Sequence, residues 1–194
     1  RPEFSGMRGN QTAPVSAYRH AFDFICGCLS VGNELSWSSA LHDAIVSGRL
    51  EWGRVLHTAN AQFLSPTLWA ALQQRGLAAY LPADIQDYLA KIHELNLVRN
   101  EHLRKQALEA VRALNDVGVK PLLLKGTAHL FLDTYDDPGS RVMQDLDILV
   151  PKDKAIACWD RLLCQGYSPI KSGRDFSSHH HLEPLRRAGE YGTT

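Results

Sequence analysis

Between residues 18 and 118 the apolar positions recur at helical steps, and polar punctuation cuts them into segments. The spacing predicts a short apolar helix over 18–29, then helices over 36–46 and 51–63, divided by Gly48. Ser65-Pro66 opens a further helix, with proline at its first position, and Gly76 closes it. The longest pattern starts at Pro82 and Asp84. It carries Ile85, Leu89, Ile92, Leu95 and Val98, then Leu103, Ala107, Val111 and Leu114, with one slip between Val98 and Leu103. Gly118 is placed to end it.

The pattern changes at Lys120. Pro121 leads into Leu122, Leu123 and Leu124, a short run that reads as a strand buried on both faces. A helix is expected over 127–135, followed by Asp136-Asp137-Pro138-Gly139-Ser140, a concentration of turn formers. Residues 144–150 read as a second strand. A helix over 152–165 follows, with Ala155, Ile156, Trp159, Leu162 and Leu163 as its core stripe, capped by Gly166 before an extended segment at Tyr167. Helices first, then helices mixed with strands, predict an α+β fold: a helical region over 7–118 and a core with a mixed sheet and flanking helices over 119–194. Residues 1–6, RPEFSG, read as a cloning remnant and are set aside.

Composition narrows the function only by exclusion. Lys plus Arg and Asp plus Glu both total 21, so the net charge is zero, which argues against a protein that coats nucleic acid and leaves room for a local contact with a polynucleotide end. No apolar run reaches the roughly 20 residues of a membrane span, and a cytoplasmic protein is the default expectation. Cys26, Cys28, Cys158 and Cys164 lack the spacing of a zinc knuckle and read as reduced thiols serving as small apolar residues.

The candidate chemistry lies in LLLKGTAHLFLDTYDDPGSRVMQDLDILV, residues 122–150. On a strand, Leu146, Ile148 and Val150 share the face that packs on helices, and Asp145 and Asp147 share the other. Two carboxylates side by side repel unless they are solvated or a cation lies between them, and oxygen ligands at this spacing suit Mg²⁺ or Mn²⁺. Lys125-Gly126 stands between a strand and a helix, where free N–H groups, a small residue and a cation favour phosphate. Arg141, four residues before Asp145, supplies a second cation in fork geometry, or else an ion pair with Asp137 or Asp145.

This set resembles the nucleotidyltransferase superfamily that includes DNA polymerase β. There a short strand and a glycine-containing turn precede a helix, and a strand with Asp-x-Asp follows. Most members carry Gly-Ser in the turn; here Lys-Gly takes its place. That variant, with Arg141 before Asp145-Leu146-Asp147, is similar to an uncharacterised bacterial nucleotidyltransferase family with an N-terminal helical region, and to abortive-infection toxin nucleotidyltransferases. The resemblance implies transfer of a nucleoside monophosphate from an NTP with release of pyrophosphate. It assigns metal binding and catalysis to Asp145 and Asp147, and nucleotide binding to Lys125, Gly126, Thr127 and Arg141. The implied partners are Mg²⁺ or Mn²⁺, an NTP, and an acceptor that is a small molecule, a protein or an RNA end, with no membrane.

The superfamily completes its site with a third carboxylate on a neighbouring strand. Glu183 and Glu190 are the downstream acids before Thr194, and Pro184 disfavours a central strand at Glu183, so the core is expected to be incomplete. His179, His180 and His181 read as a polar strand face, and Arg186-Arg187 as solvated or touching an anionic acceptor. Two other readings stand beside transfer. One is an inactive member that binds nucleotide or a partner. The other is a toxin-like enzyme acting on tRNA, kept open by Arg99, Arg104, Lys105 and Arg112.

Overall fold

A computed structural model describes residues 15–30, 35–132, 136–170 and 182–189. It divides into two compact units, Arg1–Gln86 and Asp87–Thr194.

The first unit is helical. Helices α1 (Val15–Leu29), α2 (Leu35–Val46), α3 (Trp52–Ala61) and α4 (Ser65–Gln74) follow the sequence periodicity closely. Helix α1 packs on the other three, burying Phe24, Ile25 and Cys28 with Val55, Leu68 and Leu72 in the unit's core. Burial pushes the Cys28 thiol up to about 12, although the nearby Arg75 guanidinium pulls the other way. That guanidinium caps α1: its Nε donates to the Cys28 carbonyl at 2.9 Å and its Nη2 to the Ser30 carbonyl at 2.6 Å. Helix α4 ends as expected, with Gly76 at φ 68° and the Leu77 N–H donating to the Leu72 carbonyl at 2.8 Å. Helix α3 ends two residues before the expected Phe63, and that residue itself takes the left-handed conformation, φ 57°.

Helix α5 (Ala83–Asp116) begins in the first unit and runs through the second, ending at Gly118 with φ 77°. The change of sequence character at residue 118 marks the end of this helix. The packing boundary lies earlier, and most of α5 belongs with the segment that carries the candidate chemistry. There Leu103 and Ala107 pack with Met143 and Leu146. Further along, Ala110 and Leu114 pack with Val119, Cys158, Trp159, Leu162, Tyr167 and Leu185.

The remaining elements are β1 (Leu122–Leu123), α6 (Lys125–His129), β2 (Ile148–Leu149), α7 (Ala155–Cys164), β3 (Tyr167–Pro169) and β4 (Leu185–Arg187). Strand β1 pairs with β2 and β3 with β4, both antiparallel, so the described residues form two small antiparallel sheets and not the mixed sheet expected. The overall α+β character stands. Leu122 is 63% exposed and Leu124 37%, so the run expected to be buried on both faces has an open face. Helix α7 is stabilised through Cys158, Trp159 and Leu162, whereas Ile156, expected in its core stripe, faces solvent. Arg187 pairs with Glu109 at 2.6 Å and lies over the Tyr167 ring. Among the described residues no helix is long and apolar enough to cross a membrane.

Candidate active site

The site is assembled where β1 ends and β2 begins. The Leu124 N–H donates to the Asp147 carbonyl at 3.0 Å, extending the β1–β2 ladder into the Asp-x-Asp segment. The expected strand over 144–150 is reduced to β2, and the predicted alternation holds in part: Leu146 is buried, Ile148 and Val150 are half-buried against the core, and Asp145 is exposed. Asp147 is half-buried, and its Oδ2 lies 3.1 Å from the Lys125 Nζ. The Lys-Gly turn and the Asp-x-Asp strand therefore meet at one place, carrying two carboxylates and a largely exposed ammonium.

Lys125 holds a left-handed backbone, φ 49°. An L-residue with a Cβ pays for that conformation, and strain of this kind gathers at functional positions. The helix that follows is one turn, Lys125–His129, where a longer one over 127–135 was expected; residues 133–135 lie outside the described residues. So short a helix contributes little dipole, and side-chain cations dominate the local positive charge.

Gly126 is buried, and a Cβ there would fall 2.5 Å from the Met143 sulfur and 3.5 Å from the Arg141 Nη2. Met143 and Arg141 lie over the turn, so a side chain at this position would have to displace the flexible end of Met143, a tertiary reason for a small residue in addition to the phosphate approach read from sequence. Thr127 is 1% exposed, and its Oγ1 accepts the Asp147 N–H at 2.7 Å. It ties the turn to the Asp-x-Asp segment.

Arg141 is exposed and lines a cleft of about 320 Å³ with Gly126, His129, Phe131, Asn100 and Arg104. Its backbone is held by a polar stripe on α5. Asn96 donates from Nδ2 to the carbonyls of Gly139 (2.7 Å) and Arg141 (2.9 Å). Asn100 donates from Nδ2 to those of Pro138 (2.7 Å) and Arg141 (2.8 Å). One turn earlier, the His93 Nε2 meets both Asp137 carboxylate oxygens, at 3.0 and 2.8 Å. The carboxylate considered as an ion partner for Arg141 is thus engaged by a histidine. The sequence reading missed this stripe. Its signal was the slip between Val98 and Leu103: the buried face passes through His93, Asn96 and Asn100, while Leu95 and Val98 are 53% and 41% exposed.

Of the other candidates, Arg104 lines the same cleft, its Nε donating to the Leu130 carbonyl and its guanidinium lying over Phe131. Glu183 is half-buried just before β4, whereas Glu190 and His179, His180 and His181 lie outside the described residues. Among the described residues no group of three or more His, Cys, Asp or Glu forms a metal cluster. The donor set at Asp145 and Asp147 is oxygen only. It fits a hard divalent cation that keeps water or phosphate in its remaining positions.

The family model for uncharacterised nucleotidyltransferases matches residues 48–192, which takes in the turn, Arg141 and both aspartates. The chain belongs to that family. No curated protein and no solved structure matches this chain. At the coarse level, membership assigns transferase chemistry on a nucleotide.

Proposed function

We propose that the protein transfers a nucleoside monophosphate from an NTP to an acceptor hydroxyl, with Asp145 and Asp147 holding Mg²⁺ and with Lys125 and Arg141 taking up triphosphate charge. The acceptor oxygen forms a bond to the α-phosphorus, the α–β phosphoanhydride breaks, pyrophosphate leaves with the electron pair, and the hydroxyl proton passes to water. The observation that carries this reading is the junction of the Lys-Gly turn with the Asp-x-Asp strand, in which Lys125 Nζ lies 3.1 Å from Asp147 Oδ2.

A bound divalent ion would polarise the phosphoryl oxygens and lower the charge barrier to attack. The chain's own residues do the rest by placement. Asp145 and Asp147 fix the negative end of the site on the segment that leads into β2. Lys125 stands beside Asp147, where its ammonium would bind phosphate oxygens. Gly126 keeps the turn tight, and Thr127 locks Asp147 in register through its N–H. Catalysis by positioning and electrostatics needs few residues of this kind.

A second reading, a member that binds nucleotide without turning it over, is favoured by the two-carboxylate donor set among the described residues. One experiment separates the two. The protein is incubated with each α-labelled NTP, Mg²⁺ or Mn²⁺, and a cell extract. Label moving to protein, RNA or a small solute supports transfer and gives the acceptor class. Saturable binding without transfer supports the second reading. Absence of both contradicts the assignment of the site.

A further inference from the structure

Buried asparagine is a poor choice inside a helix. It lowers helix propensity, and its amide loses water that must be replaced by hydrogen bonds. Helix α5 nonetheless carries Asn96 and Asn100 on its inward face, 6% and 4% exposed, with His93 in line one turn earlier. Each asparagine spends its amide group on the same loop, and both converge on the Arg141 carbonyl, which accepts at 2.9 and 2.8 Å. Their other contacts, to Gly139 and Pro138, fix the two residues of the turn. Asp137 closes that turn by accepting the Gly139 N–H at 2.8 Å while His93 holds the same carboxylate. Gly139 itself has no room for a side chain, since a Cβ would fall 2.6 Å from the His93 Nε2.

We infer that His93, Asn96 and Asn100 are positioning residues for Arg141: they fasten its backbone to a 34-residue helix, so that the guanidinium is presented at Gly126 before any ligand arrives. This rests on the reading of Arg141 as a triphosphate contact. The physical argument is one of preorganisation. A cation on a free turn would lose backbone entropy on binding, whereas one on a loop with four side-chain-to-carbonyl bonds has lost it during folding. A cavity-lining role alone would not explain why both amides select the carbonyl of the one arginine in the loop.

The test uses Mg²⁺ with inorganic tripolyphosphate, which requires no choice of base, and orthophosphate as the comparison, both by titration calorimetry on the full chain. The variants are Asn96→Leu, Asn100→Leu and Arg141→Ala, together with the Asn100→Leu/Arg141→Ala pair; leucine matches the shape of asparagine and adds no charge. Each leucine variant is expected to bind tripolyphosphate about tenfold more weakly and orthophosphate less than about threefold more weakly. In the Arg141→Ala background the Asn100→Leu loss should vanish, which a merely structural role would not produce. In a turnover assay the KM for NTP should rise while kcat holds. Unchanged tripolyphosphate affinity in the folded leucine variants, or a loss that persists undiminished without Arg141, overturns the inference and leaves the Arg141 contact standing. Wild-type affinity in Arg141→Ala overturns that contact and the inference with it. If the leucine variants do not fold, His93→Ala decides. About threefold weaker binding coupled to Arg141 supports the positioning role, and an unchanged affinity overturns it.

Discussion

Lys125 combines a strained backbone with a side chain proposed to take up triphosphate charge, and the two can be separated by substitution. At φ 49° alanine retains the strain and glycine relieves it. Lys125→Gly should therefore be more stable than Lys125→Ala by about 1 kcal/mol in chemical denaturation, while both lose triphosphate affinity. Equal stability of the two would mean that the turn relaxes without cost. Thr127 makes a second case. Thr127→Val keeps the shape and removes the acceptor of the Asp147 N–H, which leaves that group unsatisfied. The expected loss is about 1–2 kcal/mol, and Mg²⁺-dependent nucleotide binding should weaken as Asp147 loosens; a change within error would show that water replaces the hydroxyl. The residue types Lys, Gly, Arg and Asp were legible because their chemistry is local and their spacing fixed. The use of Thr127 was not, because its partner lies 20 residues away and no periodicity encodes such a bond.

At the scale of elements the helices of the first unit were readable because their apolar spacing and stop signals agree. Their ends are open to test. Helix α3 is closed by Phe63 in the left-handed region, with the Leu64 N–H donating to the Ala59 carbonyl at 2.7 Å. Phe63 is 57% exposed, so Phe63→Gly gives up little burial and should raise stability by about 0.5–1 kcal/mol. A lower melting temperature would show that the ring contributes more than the strain costs. Helix α1 carries the other test. Burial holds the Cys28 thiol at about 12, far above the unfolded value of about 8.5, so the folded state binds the extra proton between these limits. Stability from this group is complete below about pH 8.5 and declines as the pH rises toward 12. Wild type should lose stability over that window more steeply than Cys28→Ala, and parallel curves would contradict the burial of the thiol. The middle of α5 was misread for a physical reason. A hydrophobic template follows apolar residues, and here the inward face is polar because it binds backbone carbonyls.

For the whole molecule, sequence character and packing draw different lines. The composition shift falls at the end of α5, but that helix supplies the wall against which Met143, Leu146 and the Arg141 loop are built. A change from helical to strand-like spacing reports where a regular element stops and carries no information about which tertiary core the element joins. The antiparallel pairing of β1 with β2 was equally hidden, since the paired residues are few and half exposed. What did survive from sequence to structure is the meeting of the Asp-x-Asp segment with the Lys-Gly turn. The central claim is that this meeting forms a metal–triphosphate site, and it is tested most directly by titrating each Mg²⁺–NTP into wild type, Asp145→Asn and Asp147→Asn, with a thermal melt of each. The account predicts saturable, metal-dependent binding in wild type, a loss of at least about tenfold in either variant, and melting temperatures nearly unchanged, because relief of like-charge repulsion offsets the exposed contact with Lys125. Wild-type affinity for every Mg²⁺–NTP in both variants, or binding indifferent to the metal, would contradict it.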